Sequence, residues 1–132
     1  MAEVVSNVKI FRQSETNVRV LPSVCRFTTI VGAMLSLDID GRERRTETYT
    51  CLVGPLLKEH EFIGASCLAS IGQLEPTTLE SAQCVLDSWD AEWNERSGQV
   101  EIQVRVSAVG AAARVHILFS VTILAETPPP EA

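Results

Sequence analysis

Val100-Glu101-Ile102-Gln103-Val104-Arg105-Val106-Ser107 and Val115-His116-Ile117-Leu118-Phe119-Ser120-Val121-Thr122-Ile123-Leu124 decide the fold class. In the first stretch valine and isoleucine alternate with glutamate, glutamine, arginine and serine. That is the two-residue period of a strand with one face in a core and one in water. In the second, Val115, Ile117, Phe119, Val121 and Ile123 keep the same period. The small residues around Gly110 between the two runs predict a turn, and hence a hairpin.

Outward from this pair, Asp40-Gly41 predicts a second hairpin, because an Asp-Gly pair supplies the positive φ values of a tight two-residue turn. Its strands run about 26–39 and 44–53, the second rich in threonine and carrying Tyr49. Further strands are predicted at 8–11, 18–21 and 62–71, with Pro22 and Pro55 as punctuation. The fold expected is mainly β: an antiparallel sandwich or open barrel of about six to eight strands. Residues 1–126 read as a single domain and 127–132 as a proline-rich tail, since proline cannot donate to a ladder.

One segment admits two readings. Leu79, Ala82, Leu86, Trp89 and Trp93 recur at helical spacing, Thr77 with Glu80 forms a capping box, and Gly98 stands where a helix would stop. These signals predict one covering helix over 78–94. The alternative is an all-β fold, in which Val85, Trp89, Ala91 and Trp93 share a strand face that Asp87 interrupts, and 94–98 is a hairpin loop.

Composition bounds the function. The chain has 132 residues, 45% of them hydrophobic but only 5% aromatic, so Val, Ile, Leu and Ala must fill the core. The net charge is -6: residues 1–48 carry seven basic and six acidic side chains, and residues 49–132 carry four and eleven. Such a balance argues against binding nucleic acid, whose phosphates demand a basic surface. Arg42, Arg44 and Arg45 form a local basic patch that Glu43 and Glu47 dilute. The N-terminal residues lack a signal-peptide core, and the longest apolar runs reach about half a helical span. A soluble, intracellular (cytoplasmic) protein with no membrane segment is the expectation.

The motifs that could carry chemistry are each incomplete. Asp38-Ile39-Asp40-Gly41 opens like a calcium loop, but Tyr49 stands where the closing glutamate belongs. Gly64-Ala65-Ser66-Cys67-Leu68 lacks the second glycine of an esterase elbow. Cys25, Cys51, Cys67 and Cys84 are spaced 26, 16 and 17 apart, without the short gaps of a zinc or redox motif, and read as free buried thiols. His60 sits in a charged loop and His116 on a strand; two histidines do not make a three-histidine metal site. Trp89 and Trp93 share a face among acidic neighbours and read as core. No catalytic residue, metal or cofactor is expected.

The feature left over is apolar surface on both sides of strands. Opposite the core-facing residues of the last strand stand His116, Leu118, Ser120, Thr122 and Leu124, and residues 62–71 carry no charge at all. Strands apolar on both faces need cover on both. The reading favoured is a non-enzymatic structural or assembly subunit, or a partner-binding module. It would act through self-association as a homo-oligomer or with a protein partner, with Leu118, Leu124 and His116 at the interface. The competing reading is a small-molecule-binding or catalytic β-barrel whose two-faced strands line an apolar cavity, with His116 and Tyr49 as its first polar groups.

Overall fold

The alternating runs do form strands, but they join differently from the hairpins predicted. A computed structural model describes the backbone of residues 2–20, 23–76 and 83–127. Its strands are β1 (Ala2–Val4), β2 (Val8–Val20), β3 (Ser23–Val53), β4 (Phe62–Pro76), β5 (Gln83–Trp93) and β6 (Val100–Thr127). Among the described residues there is no helix, and therefore none long and apolar enough to cross a membrane.

Two of these strands are far longer than usual, and they organise everything else. β3 and β6 pair antiparallel along their whole lengths, from Val24 against Thr127 to Val53 against Val100. The register slips between Met34 and Leu37 and twice more between Ile39 and Arg45. There the two-stranded ribbon folds over on itself, so each strand supplies the middle of two sheets. Residues 24–34 of β3 and 115–127 of β6 lie between β2 and β4 in sheet I. Residues 45–53 of β3 and 100–108 of β6 lie between β1 and β5 in sheet II. Counted by halves there are eight strands in two sheets, antiparallel except for the β1 pairing, forming a sandwich and not a closed barrel.

Both predicted hairpins are thus corrected. Asp40-Gly41 and Gly110 mark the fold in the ribbon, where Gly41 stands opposite Gly110, and not two reversals of the chain. Small residues on both strands let the pair bend together, while long-range pairing keeps each half beside its partner. Residues 8–20, predicted as two strands, form one, with a bulge at Phe11.

The covering helix is likewise corrected. Residues 83–93 are strand, paired with residues 100–109; residues 77–82, with the capping box, lie outside the described residues. A bulge between Leu86 and Ser88 takes up Asp87, the residue that broke the strand face, and realigns Leu86 with Trp89, Ala91 and Trp93. Gly98 has φ +74, but it serves the hairpin joining β5 to β6 and does not end a helix. In that hairpin the Asn94 Oδ1 accepts from the amides of Arg96 and Ser97, each at 3.0 Å. The loop after β3 is tied to it: Trp93 Nε1 donates to the Leu57 carbonyl at 3.1 Å, and Gln99 Nε2 to that of Gly54 at 2.8 Å.

The core lies between the sheets. Ile30, Met34, Val115, Ile117, Phe119, Val121 and Ile123 face inward from sheet I, and Cys51, Val53, Val100, Ile102, Val104 and Val106 from sheet II. This is the aliphatic filling that the composition demands. Trp93 packs against it, half-buried, but Trp89 stays 41% exposed because β5 is an edge strand, which corrects its assignment to the core.

Candidate functional site

Alternation within the central strands fixes what the outer faces carry, and the two faces differ sharply. Across sheet II the outward residues include Thr46, Thr48, Glu101, Gln103, Arg105, Asp90 and Glu92, a solvated surface. Thr46 and Ser107 share a hydrogen bond of 2.9 Å, and the Ser107 hydroxyl also donates to Asp87. Across the middle of sheet I the outward residues of β3, β6 and β4 are Phe27, Thr29 and Val31; His116, Leu118, Ser120, Thr122 and Leu124; and Ser66, Leu68 and Ser70. None of these residues carries a carboxylate, an ammonium or a guanidinium. At its two ends the same side of β6 carries Arg114 and Glu126, both exposed, and on β2 the Lys9 ammonium sits 5.5 Å from the Phe11 ring.

This face exposes large apolar side chains. Leu68 is 70% exposed and Leu118 41%, with Val31, Phe27, Phe11 and Ile63 also open. A groove of about 230 Å³ runs between β3, β6 and β4, lined by Val31, Leu68, Ala69, Ser70, Leu118, Phe119 and Ser120. Leu118 leans across β4 over Gly72, where an added Cβ would come within 2.6 Å of its Cγ.

Of the residues expected at an interface, Leu118 lies in this groove, while Leu124 and His116 are half-buried on the same face. Leu68, Val31 and Phe27 were not assigned to the interface from sequence. Their place beside Leu118 depends on the order of strands, which has no signature in one chain.

The residues weighed for catalysis are not brought together. His116 faces out from sheet I, whereas Tyr49 is buried on the inner side of sheet II, beside a separate open hollow lined by Glu3, Ser6, Asn7 and Leu37. Burial, with Glu3 and Glu47 adding, pushes the Tyr49 phenol up to about 12. Ser66 lies on extended backbone, not on the turn an elbow needs, and its neighbour Cys67 points to the other side of the sheet. His60 is exposed in the loop before β4. The side chains at 38–41 and those of Arg42 and Arg44 lie outside the described residues; Arg45 pairs with Glu47 at 3.3 Å on the surface. Among the described residues no three metal-ligating side chains gather.

The four cysteines are free thiols, Cys51 buried and the others half-buried. Burial, then Cys67 and Glu101, pushes Cys51 up to about 12 from an ordinary 9.0, and burial, then Asp90, pushes Cys67 up to about 11. Burial followed by Asp87 also raises Cys84. A thiol is nucleophilic only as the thiolate, so these are poor nucleophiles at neutral pH. A raised pKa also means that folding favours the protonated form. Stability is expected to be intact below pH 9.0 and to fall as the pH climbs toward 12, because unfolded thiols ionise first. Urea midpoints measured from pH 8 to 11 should decline, and Cys51→Ala should flatten the decline. Rapid reaction of Cys51 with a thiol reagent in the native protein would contradict this burial.

The geometry therefore offers an apolar face, uncharged over its middle, and no assembled catalytic group among the described residues. No family model matches the chain, and no curated protein and no solved structure matches it either.

Proposed function

We propose that the protein is a non-enzymatic assembly subunit, and that the outer face of sheet I is where a second copy docks. The observation that carries this reading is the contrast between the two outer faces: one charged and solvated, the other uncharged over the middle of three adjacent strands. Contiguous apolar surface of this kind on a soluble chain marks an interaction site more often than it marks nothing. Charge favours a second copy as the occupant. Two chains of net charge -6 repel through most of their surfaces, and a face whose middle has no ionised group lets them meet without placing like charges together there.

The test is sedimentation of the unmodified protein beside Leu68→Glu and Leu118→Glu. The unmodified chain is expected to associate at micromolar concentration, and each variant to shift toward smaller species with an unchanged circular dichroism spectrum. A glutamate in the groove would be buried against apolar partners on association but hydrated in the free subunit, so assembly suffers more than folding. A monomer from the unmodified chain at high micromolar concentration would overturn the proposal.

A further inference from the structure

We infer that the copies join first along β4, by antiparallel pairing of this edge strand with its own counterpart about a two-fold axis at Cys67. This rests on the assembly reading above and specifies its geometry. Each sheet has two edges, and an open edge invites pairing with another chain unless it is blunted. Three of the four are blunted. β1 is three residues long. β2 carries Lys9, Arg12, Glu15 and Arg19 as well as its bulge. β5 carries Asp87, Asp90 and Glu92, and it is bulged too. β4 is bulged as well, at Ile63 and Gly72, but the stretch between them, 64 to 71, carries no charge and no proline, and among the described residues it pairs on one side only, with β6.

Absence of charge is also what self-pairing requires. About a two-fold axis each residue faces its own strand's sequence, so a charge near the centre would stand against its own copy, which is destabilising. Overlap of 64–70 with itself, clear of both bulges, sets Cys67 opposite Cys67, Ser66 opposite Leu68, and Ala65 opposite Ala69.

Area points the same way. Three uncharged strands spaced at about 4.8 Å, each about nine residues long, give a face of about 430 Å². A standard interface takes about 800 Å² from each partner, so one such face alone is small. Two copies joined along β4 present one continuous face of about 860 Å², enough for a second pair to stack on it.

Amide hydrogen exchange at residue resolution, on samples whose association state is measured by sedimentation, tests the pairing. On association, alternate amides across 64–71 are expected to gain about tenfold or more in protection, since they acquire a partner strand. Directly opposed residues of an antiparallel pair have Cα atoms about 4.5–5.5 Å apart, within disulfide reach. Mild oxidation of the associated protein should therefore yield a Cys67–Cys67 link on mass mapping. An associated sample whose β4 amides exchange as in the monomer would overturn the edge pairing and leave docking through the face standing. Intermolecular links that avoid Cys67 would overturn the register. A protein that stays monomeric removes both readings.

Discussion

Replacing Ile117 by alanine is expected to cost about 2–5 kcal/mol, whereas alanine at the next residue, Leu118, should cost the isolated subunit less than about 1 kcal/mol. Ile117 is fully buried, paired with Met34 on one side and Ile71 on the other, and its loss leaves a cavity that neighbours on central strands cannot close. Leu118 points the opposite way, into the open groove. Urea titrations of the two variants measure the difference, at a concentration low enough to keep the chain monomeric. Similar losses at both positions would mean that the face carrying Leu118 is covered within the subunit, and the interface assignment would fall with it.

Gly32→Val should also be severe, by overpacking: about 1–3 kcal/mol at the least. A Cβ at Gly32 would lie 2.7 Å from the Lys9 carbonyl oxygen and 2.9 Å from the Phe119 ring. The first is backbone in a paired strand and the second a buried ring, so neither can move cheaply. The needed comparison is Gly64→Ala, where a Cβ meets nothing within 4 Å. Thermal melts should separate the two clearly. A Gly32→Val protein as stable as the parent would show that β2 does not pack against β3 as closely as described.

What could be read from the sequence, and what could not, follows from the range of the forces involved. The inward sets of β6, Val100 to Val106 and Val115 to Ile123, were legible because burial imposes its period on consecutive residues. The hairpins at Asp40-Gly41 and Gly110 were misread because turn chemistry is local: the same residues that permit a reversal permit a bend, and the choice lies with a distant partner strand. The segment around Trp89 misled for a related reason. A bulge at Asp87 inserts one residue into a two-residue period, and the shifted pattern imitates helical spacing. At the candidate site, Leu118, Leu124 and His116 were found from one strand's alternation. Leu68 needed the knowledge that β4 lies beside β6, which no pattern within either strand contains.

The folded ribbon of β3 and β6 has a consequence for how the molecule comes apart and together. Because the same two strands form the middle of both sheets, neither sheet is an independent unit. Opening one half unseats the other, so the sandwich behaves as a single cooperative block and not as two separable foldons. Assembly of that block cannot begin at a tight turn between its central strands, since Val53 and Val100 must meet across the intervening β4 and β5. The entropy of closing that span falls early, before the long ladder repays it, and places this chain among the high-contact-order, slow-folding β proteins.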